Sequence, residues 1–433
     1  MLLVEILRST DKMGGPRISI LTATYNRAEL LKETLGVLRQ EVDPQVAEVV
    51  LVDDGSSEEV YRKISEATGG MGFVRLIRKV SNTGCADARN VGVSHSKGDW
   101  ILILDDDDLL MPGVLKAYIE AIETYPQVDV FYGDLLCLDE KMQKVMGLLP
   151  YFDFFRSPEG LLCLLVFGDF LPHPGAMVRK RVLQEIGGYN KALPRAEDYE
   201  LWSRLAGSAR FKHLGRFTYK YRLNDHGLSV RAARSKDFSA EREVLKGMLR
   251  RYSLERLFLW LDWSSPLARG RVAEVLGAMF FLLNAPEEAI GHLEGDLSGR
   301  DAWRRRFLLS SSLASLGKLD DAIRILEEVP EGQRHPKERA LYYLLKRPNA
   351  QHLELIAREA SRLSGHIRAE AIKEAVRHFG YHLTLLERAK CYRDQGLYSE
   401  AFVLFKTVLQ FDPKNAECLK ELSLLERDLG GAG

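Results

Sequence analysis

From Arg17 to about Phe131 the sequence alternates short apolar runs with amphipathic stretches, and this alternation limits the fold more than any other feature. The runs Ile18–Ala23, Glu48–Val52, Val74–Ile77 and Trp100–Leu104 are separated by helical spacing near Ala28–Arg39, Glu58–Thr68 and Ala86–Ser94. Apolar runs this short are strands buried on both faces, and strands joined through helices lie parallel. The prediction is a mostly parallel α/β sheet covered by helices, with polar loops gathered where its strands end.

The fourth run, Ile101-Leu102-Ile103-Leu104, is followed at once by Asp105-Asp106-Asp107-Asp108. Open parallel sheets bind ligands at the carboxyl ends of their strands, so the quartet falls where a ligand goes. Four like charges this close repel unless water or a cation compensates them, and an all-oxygen donor set suits Mg2+ or Mn2+. The plainer alternative is a solvated acidic turn leading into a helix that Pro112 helps to start.

At 433 residues the chain is long enough for two or three domains. Lys plus Arg and Asp plus Glu are equal at 61 each, so no global charge favours nucleic acid or an anionic membrane. The five cysteines, Cys85, Cys137, Cys163, Cys391 and Cys418, are widely spaced and include no Cys-x-x-Cys pair, which argues against a disulfide framework and a zinc ribbon. No apolar stretch is long enough for a transmembrane segment, whether near the N-terminus or at Leu161–Phe167. The expected compartment is cytoplasmic, with a peripheral position at the inner face of a membrane compatible with it.

Between about Asp129 and Leu223 the pattern loosens into aromatic-rich stretches with Pro172, Pro174 and a Gly187-Gly188 turn, as expected of loops that receive a second substrate. Beyond about Ser235 helical periodicity takes over. Expected boundaries are an N-terminal extension over 1–15, an α/β domain over 16–234 and an all-α domain over 235–433. Glu287-Glu288-Ala289-Ile290 matches Asp320-Asp321-Ala322-Ile323 at an offset of 33 residues, and Ser399-Glu400-Ala401-Phe402 repeats it again, though not at a multiple of that period. These segments resemble tetratricopeptide repeats, with Ala389, Tyr392, Gly396, Ala401, Phe405 and Pro413 at the pattern's positions in the last; an ordinary helical bundle is the alternative.

Four loops fall on one rim of the expected sheet: Thr22-Ala23-Thr24-Tyr25-Asn26, Val52-Asp53-Asp54-Gly55-Ser56, Asn82-Thr83-Gly84 with Ala88-Arg89-Asn90, and Asp105–Asp108. In this order they resemble the nucleotide-binding half of family-2 glycosyltransferases with the GT-A fold, over about residues 16 to 230. The resemblance implies a metal-dependent, inverting transfer of a sugar from a nucleoside diphosphate sugar, a UDP-sugar first, to a hydroxyl acceptor on a lipid-linked glycan, a polysaccharide or a protein. It implies Mn2+ or Mg2+ on Asp105 and Asp107, with His226 as a further metal or diphosphate contact, or a plain surface histidine. The implied donor site comprises Thr22, Thr24, Tyr25, Asp54, Asn82, Arg89 and Asp106.

Among these, Asp53 and Asp54 are equally readable as helix-capping or turn residues, and Arg89 as a surface helix arginine. For the base that deprotonates the acceptor the resemblance points to the pair Glu197 and Asp198, with Asp198 preferred; both also suit a helix start, where acids favour the dipole. A nicotinamide dehydrogenase is excluded because no Gly-x-Gly-x-x-Gly follows the first strand, and an aspartate-phosphorylating phosphatase lacks its later lysine and acidic loop. The rival from another class is a non-catalytic sugar-nucleotide-binding adaptor that engages a protein partner, or self-associates, through its helical repeats and the concave neighbours of Tyr392.

Overall fold

A computed structural model describes residues 17–224 and 234–430. Nine strands form one sheet: β1 (Ile18–Thr24), β2 (Ala47–Asp53), β3 (Val74–Arg78), β4 (Trp100–Ile103), β5 (Leu109–Leu110), β6 (Val130–Leu138), β7 (Val145–Leu149), β8 (Met177–Arg179) and β9 (Phe211–Arg222). Their order is β3-β2-β1-β4-β8-β6-β9-β5, with β7 added beside β6. The first four are parallel, as their both-faced apolar sequences require. Beyond β4 the sheet is mixed: β6 and β9 pair in parallel, while β8, β7 and β5 join antiparallel. The parallel expectation therefore holds over 17–103, and the change of direction belongs to the region where the sequence loses its strand–helix alternation.

Helices Ala28–Glu41, Glu58–Thr68, Cys85–His95 and Val114–Thr124 cover the parallel half. From Ser239 onward the described residues are helical. Three helix pairs coincide with the repeat-like segments: Leu267–Leu282 with Pro286–Leu293, Trp303–Ser315 with Leu319–Glu327, and Tyr381–Asp394 with Tyr398–Phe411. Ala289, Ala322 and Ala401 are fully buried where each pair crosses, and a Cβ on Gly277 would stand 2.4 Å from Leu293, so small residues set these contacts. The third segment falls out of period because helix Pro336–Lys346 and the 29-residue helix Ala350–His378 intervene. No described helix is long and apolar enough to cross a membrane.

One hydrophobic core runs through both regions. Tyr381 stacks on Phe152, and Tyr392 stacks on Phe217 at 5.2 Å between centroids. Tyr392, expected on an open concave surface, is instead 1% exposed, and its hydroxyl donates to Asp134 at 2.8 Å. The helices seal the exposed flank of β6 and β9, so the aromatic of this segment is consumed by packing and is lost to a peptide-binding face.

Candidate functional site

The parallel register carries β1 and β2 to a common end at Thr24 and Asp53, and places β4 on the other side of β1 with Leu21 opposite Ile103. The aspartate quartet thus emerges beside the β1 end. Thr24 Oγ1 donates to Asp106 at 2.6 Å, and Thr34 Oγ1 donates to the carbonyls of Asp106 and Asp108 at 3.1 and 3.0 Å. These bonds hold the acidic turn against a cleft of about 1520 Å3, lined by the loop ends of the sheet, by the segments around Phe167 and Glu197, and by helices beyond Phe238. Its placement at the carboxyl rim of an open α/β sheet is the expected one for a ligand.

The four aspartates have distinct surroundings. Asp108 accepts from the Arg222 amide at 2.6 Å and from the Tyr219 hydroxyl, so the sheet occupies both its oxygens. Asp106 and Asp107 share Arg27, whose Nη1 lies 3.1 and 3.0 Å from them. Asp105 pairs with Arg89 at 3.0 Å and keeps a third of its side chain exposed. Burial pushes Asp106 up to about 6 and raises Asp107; burial, with the charges of Asp107 and Asp105, pushes Asp108 to about 8. Compensation in the quartet is therefore incomplete.

Asp54 closes the neighbouring wall. It accepts from Lys79 Nζ at 2.6 Å, Thr83 N at 3.2 Å and Gly84 N at 2.9 Å, drawing the Asn82–Gly84 loop over the end of β2. Gly55 makes this approach feasible: its φ is +77°, and a Cβ there would stand 2.5 Å from the Ser81 backbone. Asp53 accepts from Ser56 N, as a turn residue does. Asn90, the last residue of the third motif, exchanges hydrogen bonds of 2.8 Å with the backbone of Tyr189 and so ties the rim helix to the Gly187-Gly188 turn.

Opposite the quartet, helix Glu197–Leu205 starts after Ala196, a non-glycine residue in the left-handed region at φ 57°. Its first two acids diverge in role. Glu197 is paired with Arg89, which bridges it to Asp105, whereas the carboxylate of Asp198 forms no ion pair among the described residues and accepts from Tyr199 N at 2.7 Å. Burial, then the charge of Glu197, pushes Asp198 up to about 6. Asp169 also lines this end; it opens to the cleft yet lies deep within it, and desolvation with the charge of Asp198 holds its carboxyl well above the usual range. His173 is a structural histidine, buried against Tyr189 and Trp202 and held neutral by burial.

Thr24, Tyr25, Asp54, Asn82, Arg89, Asp105, Asp106, Asp107, Glu197 and Asp198 all line the one cleft. Thr22 does not: it is 1% exposed, one turn of the pleat behind the rim, and its hydroxyl has no hydrogen-bond partner. His226 and residues 1–15 lie outside the described residues. Sequence reasoning missed Arg27, Lys79, Asp169 and Arg368. Arg27 directly follows a motif and was within reach; Asp169 and Arg368 sit in segments without any local signature.

The oxygen-only donor set fits a divalent cation: Mg2+ is commonly bound through one or two carboxylates with the substrate's phosphates completing the shell. Among the described residues no three His, Cys, Asp or Glu side chains converge on one point as ligands.

A carboxylate-rich, arginine-bearing cleft at the rim of a sheet with a parallel half defines a ligand-binding α/β domain of the Rossmann-like class. Residues 19–187 match the family described as Glycosyl transferase family 2. An uncharacterized glycosyltransferase of Haemophilus influenzae is 33% identical over 196 residues, covering 45% of this chain and 63% of the relative. An uncharacterized glycosyltransferase of Methanocaldococcus jannaschii is 26% identical over 215 residues, 49% of this chain and 72% of its own length. The crystal structure of S. aureus TarS 1-349 superposes with a TM-score of 0.47 at 17% identity, over 81% of this chain and 91% of that one. The chain thus spans 63% of the length of the Haemophilus relative.

Proposed function

We propose that the protein transfers a sugar from a nucleoside diphosphate sugar, of the UDP type, to a hydroxyl acceptor in a single inverting displacement. The observation that carries this reading is the contrast between Glu197 and Asp198: adjacent acids at one helix start, one ion-paired with Arg89, the other without an ion pair among the described residues and raised to about 6. Such a carboxylate is ionised at neutral pH and still basic enough to take a proton from an attacking hydroxyl, which makes Asp198 the general base.

Across the cleft Asp105 and Asp107 would hold Mn2+ or Mg2+, and Thr24, Tyr25, Asp54, Asn82 and Asp106 would form the donor's nucleoside side. When bound, the dication supplies Lewis-acid stabilisation of the departing diphosphate. Arg27 and Arg89, which tie the acidic turn to its surroundings, are positioned to exchange carboxylate for phosphate oxygen. The helical region supplies one wall of the cleft through Leu245, Met279 and Leu283, which favours a part in acceptor capture for residues 235–433.

The test is a thermal-shift panel of nucleotide sugars with and without manganese, followed by a transfer assay with any stabilising donor. A ligand that binds the folded form alone raises the midpoint by mass action. Stabilisation by a UDP-sugar in the presence of the metal is expected; indifference to every nucleotide sugar under both conditions overturns the proposal.

A further inference from the structure

Six basic side chains line the cleft: Arg27, Arg89, Lys191, Arg195, Arg222 and Arg368. Five of them are paired with carboxylates: Arg27 with Asp106 and Asp107, Arg89 with Asp105 and Glu197, Lys191 with Asp87, Arg195 with Glu241, and Arg222 with Glu33. Arg368, from helix Ala350–His378, breaks the pattern. Its Nε and Nη2 donate to the carbonyl of Phe167 at 3.0 and 2.6 Å, Nη1 makes no hydrogen bond, and no carboxylate among the described residues pairs with it. Burial lowers its proton affinity, and Tyr199 is the one group that offsets this.

The guanidinium has a built seat. Gly168 has φ +137°, a conformation suited to glycine, and a Cβ there would press on Arg368 Nη2 at 3.3 Å. The same loop continues into Asp169, whose carboxyl feels the charge of Asp198, so Arg368 stands on the base side of the cleft and not among the donor-side pairs. An unpaired, partly desolvated cation is costly unless something with negative charge meets it. Its planar fork matches a phosphate or carboxylate oxygen pair.

Resting on the transferase reading above, we propose that Arg368 is a specificity-determining residue that receives an anionic group, phosphate or carboxylate, carried by the acceptor. The acceptor class is then an acidic or phosphorylated glycan, and the helical region selects it through a side chain placed 170 residues after Asp198 in the chain.

The experiment uses the full chain saturated with UDP and Mn2+ and titrates three probes by calorimetry: methyl glucoside, its 6-phosphate, and methyl glucuronide. Wild-type protein is expected to bind an anionic probe roughly 10- to 100-fold more tightly than the neutral one, the span of a charge-assisted hydrogen bond. Which anionic probe shows the gain separates a phosphate source from a carboxylate source. In Arg368→Gln, which can still donate to Phe167 O but carries no charge, that preference is expected to vanish while UDP binding stays unchanged; Arg368→Lys should retain part of it. Equal binding of all three probes by the wild type, or a preference undiminished in Arg368→Gln, overturns the proposal. Failure of the transferase reading would show separately, as loss of UDP binding in the wild type itself.

Discussion

Two clusters of buried charge in the molecule are treated in opposite ways. Beneath the helical region, Asp134 is fully enclosed: His213 Nε2 lies 3.0 Å away, Tyr151 N donates at 2.9 Å, the Tyr392 hydroxyl at 2.8 Å, and Arg388 Nε completes an ion pair at 3.0 Å without hydrogen-bonding alignment. Burial alone would raise its carboxyl, but Arg388 and His213 hold it below the usual range. At the cleft the reverse holds: Arg27 and Arg89 reach Asp105, Asp106 and Asp107, Asp108 has only a backbone amide and a hydroxyl on its oxygens, and Asp106, Asp107 and Asp108 are all raised. A cluster that satisfies itself joins two regions of the chain; one left short of positive charge is poised for a ligand that brings it.

The sharpest way to break this contrast is at the cleft. Asp198→Asn removes a proton acceptor without changing its size, so transfer should fall by about 10²–10⁴-fold while UDP binding, followed by calorimetry, is preserved. Near-normal turnover would remove Asp198 from the chemistry and leave the raised carboxylates without a catalytic meaning.

Next in size is the other cluster. Arg388→Met strands Asp134 in the interior, and loss of one partner of a buried pair costs about 3–5 kcal/mol, read as a lowered denaturation midpoint at pH 7. Arg27→Met, by contrast, removes an arginine whose side chain is 44% exposed from two carboxyls that are buried but already raised and can take up protons; a smaller cost than that of Arg388→Met is expected. Equal costs for the two arginines would erase the distinction between the clusters. Tyr392→Phe removes one hydrogen bond to Asp134 and keeps the stack on Phe217, for about 1–2 kcal/mol by the same measurement.

The two clusters also differ in how far the sequence discloses them. The cleft was legible because its residues lie in contiguous loops after both-faced apolar strands: Thr24, Asp54, Arg89 and Asp105 fall within short motifs whose position follows from the period of the chain. The Asp134 network was not, since Asp134, His213 and the pair Arg388 and Tyr392 come from three distant segments and meet only when the helices pack onto β6 and β9. Tyr392 shows the cost of a local reading, because repeat spacing places it correctly on its helix and says nothing of what that helix covers. The mixed half of the sheet was hidden for a related reason: β8 pairs through only three residues, too few for a periodic signal. Asp169 and Arg368 reach the cleft by the same long-range packing.

The smallest effect concerns which acid tunes the base. Asp198 is raised by burial first and by the charge of Glu197 second, so Glu197→Gln removes a like charge and favours the ionised form. The acid limb of the transfer rate, expected near pH 6 because Asp198 must be ionised to accept a proton, should move to lower pH by up to about one unit. Arg89, released from Glu197 but still paired with Asp105, adds to the shift in the same direction. Asp169→Asn should leave that limb in place, because the groups that raise Asp198 are burial and the charges of Glu197 and Asp105. Should Asp169→Asn move the limb and Glu197→Gln leave it fixed, Asp169 rather than Glu197 is the neighbour that sets the strength of the base.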